Sequence, residues 1–114
     1  MITLIKGDNE TISVVFTDQN GDAIDITGYT VFFTVKSKDV LTETDDTNAI
    51  IKKDITNHSD PTKGETNIVL TTADTTIAVG IYLWDLQLKS QAGIITSTTR
   101  DELEVVQDIT RRTT

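Results

Sequence analysis

Ten consecutive residues limit what this chain can become. In Gly80-Ile81-Tyr82-Leu83-Trp84-Asp85-Leu86-Gln87-Leu88-Lys89 the side chains of Tyr82, Trp84, Leu86 and Leu88 recur at every second position. A period of two is that of an extended strand. The intervening positions turn polar from Asp85 onward, so the strand is expected to be buried on one face and partly wet on the other. The apolar face carries the only Trp, and burying a large side chain of this kind contributes roughly 1.5–3 kcal/mol. We read the segment as the central strand of a β-sandwich.

The same alternation runs through the rest of the chain. Ile12, Val14 and Phe16 point inward between Thr11, Ser13 and Val15. Tyr29, Val31, Phe33 and Val35 share a face; Phe32 is the one large apolar residue on the polar face opposite. Thr66, Ile68 and Leu70 form a third inward row that leaves Val69 outside. Asn20-Gly21 marks a tight turn. Residues 49–55 read as an edge strand on which Lys52 and Lys53 discourage pairing with other chains. Residues 72–79 suit one helical turn with Thr72 as N-cap, crossing between sheets, with Ile77 closing the end of the sandwich. The last strand begins near Ile94, with a bulge expected at Arg100-Asp101-Glu102 and a continuation through Leu103, Val105 and Ile109.

Enrichment in Thr, Val and Ile favours strands over helices. The expected fold is all-β: an immunoglobulin-like antiparallel β-sandwich of roughly seven to nine strands, with one short helical turn before Gly80–Lys89. In such sandwiches a Tyr near the start of the sixth strand bonds back to the preceding corner, and Tyr82 stands in that relation to residues 72–79. The expected core comprises Phe16, Phe33, Tyr82, Trp84, Leu86 and Leu88. Residues 1–110 are read as one domain and 111–114 as a frayed tail. The outward apolar residues Phe32, Val15 and Val69 are the candidate protein interface.

Composition narrows function mainly by exclusion. The net charge of −8 repels phosphate backbones and anionic membranes, so neither nucleic acid nor membrane is an expected partner. No apolar run reaches the roughly 20 residues of a membrane span, and no secretory signal is seen at Met1. Without Cys there is no disulfide and no thiolate metal site. Asp18, Asn20 and Asp22 resemble a calcium loop, but Gly21 stands fourth and Tyr29 occupies the twelfth position, where an EF-hand needs Glu; a plain turn is expected. Glu43, Asp45 and Asp46 read as a solvated loop. His58, Ser59 and Asp60 are mere neighbours in sequence, which does not make a triad. No phosphate-binding glycine motif is present. No catalytic, cofactor or metal residue is therefore assigned, and no small-molecule substrate is expected.

The order of the motifs carries more than their composition. Gly7-Asp8, Ile12, Val14, Phe16, Asp18 and Gly21 are followed by Asp25-Ile26-Thr27-Gly28, Val31, Phe33 and Val35-Lys36. Later come Thr72-Ala73-x-Thr75, Ile77 and Gly80-x-Tyr82-x-Trp84-Asp85-Leu86-Gln87-Leu88, a turn ending in Gly93, and Leu103-Glu104-Val105. This series resembles the immunoglobulin-like domain at the N-terminus of bacteriophage baseplate upper proteins and covers nearly the whole chain. The resemblance implies a non-enzymatic structural adaptor of a phage or prophage tail or baseplate. Such a module would be made in the bacterial cytoplasm, built into the virion by contact with other tail or baseplate proteins, and homo-oligomeric in the particle. No coiled coil follows Thr114, which suits a stand-alone tail, neck or fibre-associated module. A carbohydrate-binding module that recognises the host surface is the alternative. It requires several exposed aromatics on one face, and Tyr29 and Phe32 are the available supply.

Overall fold

The computed structural model describes residues 2–38 and 49–107. Among these, seven strands form: β1 (Ile2–Ile5), β2 (Glu10–Val15), β3 (Thr30–Lys36), β4 (Ile51–Ile55), β5 (Glu65–Leu70), β6 (Gly80–Lys89) and β7 (Ile95–Val106). One helical turn, α1 (Thr72–Thr75), precedes β6, and a 3-10 turn spans Pro61–Lys63. The protein is mostly β, as the alternation of its side chains requires. Glu43, Asp45 and Asp46, together with Ile109 and residues 111–114, lie outside the described residues.

The strands divide into two sheets. One has five strands in the order β1-β7-β6-β3-β4; the other pairs β2 with β5. The decapeptide singled out in the sequence is β6, and it lies at the centre of the larger sheet. Phe33 pairs with Leu86, and Val31 with Leu88, across β3 and β6. The inward rows of both sheets meet in one buried cluster that includes Leu4, Phe16, Val31, Phe33, Val35, Ile68, Leu70, Tyr82, Leu86, Leu88, Leu103 and Val105. Trp84 is half-buried at the margin of this cluster, its ring centroid 5.9 Å from that of Phe33. Its indole N–H donates to the Glu102 carbonyl at 3.0 Å.

Several local expectations are revised. Pairing is not wholly antiparallel: β1 runs parallel to β7, with Ile2 opposite Leu103 and Leu4 opposite Val105. These are the first and last strands, so no tight hairpin dictates their direction. The bulge lies opposite Leu86 and Gln87, which pair with Thr99 and Ser97; Arg100, Asp101 and Glu102 pair in regular register with Asp85, Trp84 and Leu83. The N-cap of α1 is Thr71, one residue before the expected Thr72. Thr71 and Asp74 form a reciprocal capping box, in which the Thr71 hydroxyl receives the Asp74 amide and the Asp74 carboxylate receives the Thr71 amide at 2.8 Å. Asp74 stands third after Thr71, and that spacing selects the cap. β4 is an edge strand, but of its two lysines only Lys52 is exposed; the Lys53 ammonium reaches Asp74 at 2.7 Å and ties β4 to α1.

Candidate interaction surfaces

The polar ties around the core fix how each surface is presented. Burial on its own raises the Asp74 carboxyl pKa. The bonds from Lys53 and Thr71 outweigh it and hold the group below the ordinary carboxylate value. The Tyr82 hydroxyl donates to the Ala78 carbonyl at 2.5 Å, binding the start of β6 to the corner that feeds it. His58 does not hang in a solvated loop. Its Nε2 donates to the Tyr29 carbonyl and its Nδ1 meets the Thr66 hydroxyl, both at 2.8 Å, so it joins the loop after β4 to both sheets. Gly64, at φ 72°, sits where an added Cβ would lie 2.6 Å from the Phe16 carbonyl oxygen and 2.7 Å from that of Ile24. Only glycine lets these backbones approach so closely.

Acidic clusters are occupied by their own chain. The Asp18 carboxylate accepts the amides of Asn20 at 2.8 Å and Asp22 at 3.1 Å, closing the turn. The Asp25 carboxylate accepts the Thr27 hydroxyl at 2.6 Å and the Thr27 amide at 3.0 Å, and these bonds hold its pKa below the ordinary value. Among the described residues no three His, Asp or Glu side chains converge as metal ligands. Among the same residues, no helix is long and apolar enough to cross a membrane.

The three outward apolar residues are not brought together. Val15 and Val69 stand on the outer face of the two-stranded sheet, 55% and 57% exposed. Phe32 lies on the outer face of the larger sheet, half-buried, between Asp54 of β4 and Gln87 of β6. There it helps to line a shallow groove of about 470 Å³ with Leu83, Asp85, Gln87 and Arg100. Tyr29 packs partly against the core, so the two aromatics proposed for sugar stacking do not share an open face. Further exposed apolar residues stand at strand ends: Ile94 and Ile95 at the β6–β7 turn, and Ile5, Val79 and Ile81 at the opposite end of the sheet.

The family model of the BppU N-terminal domain, the N-terminal domain of baseplate upper proteins, matches residues 1–99. No curated protein matches the chain.

Proposed function

The chain belongs to the BppU N-terminal domain family, and from that premise we propose that it is a non-enzymatic adaptor of a phage or prophage tail or baseplate. It works through contacts with other tail or baseplate proteins, and in the particle it is homo-oligomeric. The match over residues 1–99 carries this reading. The virion is its place of action, after synthesis in the host cytoplasm.

An immunoglobulin-like sandwich, with residues 1–110 as one domain and 111–114 as a frayed tail, is the architecture we assign to it. Two observations support that architecture. The order β7-β6-β3-β4 beside a separate β2-β5 pair corresponds to strands G-F-C-C′ and B-E of a variable-type immunoglobulin domain. The Tyr82 bond back to the Ala78 carbonyl runs from the start of β6 to the preceding corner, as the bond of a tyrosine corner does. The test is co-sedimentation of the purified chain with tail particles assembled without it. Binding is expected, weakened in Phe32→Ala with little change in melting temperature. A chain that stays in the supernatant at every concentration tested refutes the adaptor role.

A further inference from the structure

The backbone of the smaller sheet is half unused. Phe16 N–H donates to the Gly64 carbonyl, in the same register that pairs Val14 with Thr66, Ile12 with Ile68 and Glu10 with Leu70. In an antiparallel ladder, hydrogen-bonded and non-hydrogen-bonded pairs alternate. The even-numbered residues of β2 therefore spend their N–H and C=O groups on β5. Those of Thr11, Ser13 and Val15 point away from it. Among the described residues no strand lies on that side and no backbone group bonds to these three. All three are exposed. The matching edge of β5 is partly closed, because Glu65 exchanges bonds of 3.0 and 3.2 Å with Asp60.

Side chains record the same vacancy. On β5 the inward residues Thr66 and Ile68 are 0% and 1% exposed, whereas their β2 partners Ile12 and Val14 are only partly buried. Among the described residues no strand flanks β2 on its outer side, and Ile12 and Val14 keep part of their surface open there. This edge also lacks the usual protection. β4 carries Lys52, Lys53 and Asp54 in five residues, and β1 is four residues long; residues 11–15 of β2 contain no charge and no Pro. Charge stands only at the ends of β2, as Asp8 just before it, Glu10 at its first position, and Asp18 and Asp22 after it, all exposed.

We infer that β2 is a docking edge of the adaptor, distinct from the outer face of the larger sheet that carries Phe32. It accepts an extended segment of a partner protein as a third strand of the small sheet. The segment is apolar at alternate positions, which cover Ile12 and Val14, and carries Lys or Arg at both ends to face the flanking carboxylates. Main-chain bonds to Thr11, Ser13 and Val15 hold it. This deepens the adaptor reading and rests on it.

The test uses the full chain, isotope-labelled for amide exchange, with the synthetic peptide acetyl-Lys-Thr-Val-Thr-Ile-Thr-Lys-amide as probe. In the free chain the amides of Thr11, Ser13 and Val15 are expected to exchange at least about tenfold faster than those of Ile12 and Val14. The peptide should slow those three, and salt should weaken its binding. Ser13→Pro removes one outward N–H without cost to the ladder and is expected to lower peptide affinity by about tenfold or more at an unchanged melting temperature. Ser13→Ala loses only the side-chain bond to Asn67 and should bind normally. If Ser13→Pro does not fold, a peptide N-methylated at alternate amides serves instead and should not bind.

Slow exchange of the three amides in the free chain overturns the proposal. So does peptide protection confined to Phe32 and Leu83 or to Ile5, Val79 and Ile81. Protection that grows with the chain's own concentration assigns the edge to a second copy and overturns the partner claim. Ser13→Pro chain that joins tail particles as well as the parent leaves the adaptor role standing and removes the edge from it.

Discussion

The two sheets handle the same problem in opposite ways. In the five-stranded sheet β3 and β6 have neighbours on both sides, and Val31, Phe33 and Val35 are completely buried. Its outer strands are short or charged. In the two-stranded sheet every strand is an edge, and Ile12 and Val14 stay half covered. A pair of strands is marginal by itself in water. Here it persists because Ile68 and Leu70 join the larger sheet's core and because polar ties cross between the layers: His58 to Thr66 and Tyr29, Lys53 to Asp74. The larger sheet thus carries the stability, which leaves the smaller one able to expose backbone.

That division predicts a graded response to mutation. Phe33→Ala, at a position with no exposure and a ring neighbour in Trp84, should destabilise by about 3–5 kcal/mol in urea titration. Ile12→Ala, half covered on β2, should cost clearly less; equal losses would erase the distinction between the sheets. Gly64→Ala comes next. A left-handed backbone alone costs a non-glycine residue about 1–3 kcal/mol, and the Phe16 and Ile24 carbonyls must also move. Its effect should be seen first as faster amide exchange in β2 and β5. Tyr82→Phe deletes the bond to Ala78 and should cost about 1 kcal/mol.

How much of this was legible beforehand depends on the range of the interaction. β6, β3, β2 and β5 were readable because a two-residue period is written in neighbouring side chains. So was the outward direction of Val15 and Val69. The partition into sheets was not, and it is the partition that puts Phe32 on a different layer from the two valines. Period reports which face a residue takes, never which strand lies beside it. The charged run at Arg100 to Glu102 suggested a break, yet the strand continues, because Arg100 and Asp101 are exposed and charge there displaces nothing from the core. Gly64 and His58 were unreadable for a related reason. The carbonyls that crowd Gly64 belong to Phe16 and Ile24, and the partners of His58 to Tyr29 and Thr66, all distant in sequence or on another element. Likewise, the unused backbone of β2 follows from register, which composition does not reveal.

The smallest predicted effect tests the tie between the layers. Asp74 accepts from Lys53 on β4 and caps α1, which follows β5, so one carboxylate joins elements of both sheets. Its pKa is depressed in the folded chain, although burial pushes the other way. A depressed folded pKa means stability that is complete above the unfolded value, about 3.9 for Asp, and that is lost as pH falls through the folded one. Asp74→Asn should therefore be less stable than the parent by about 1 kcal/mol at neutral pH. The gap should narrow only when the pH is taken below the unfolded value, since protonation then removes from the parent what the substitution removed from the variant. The other carboxylates titrate alike in both chains and cancel in the difference. A gap that stays constant from neutral pH into strong acid would mean that the Asp74 charge contributes nothing, leaving the bonds of the capping box as the whole of its role and His58 as the polar link between the sheets.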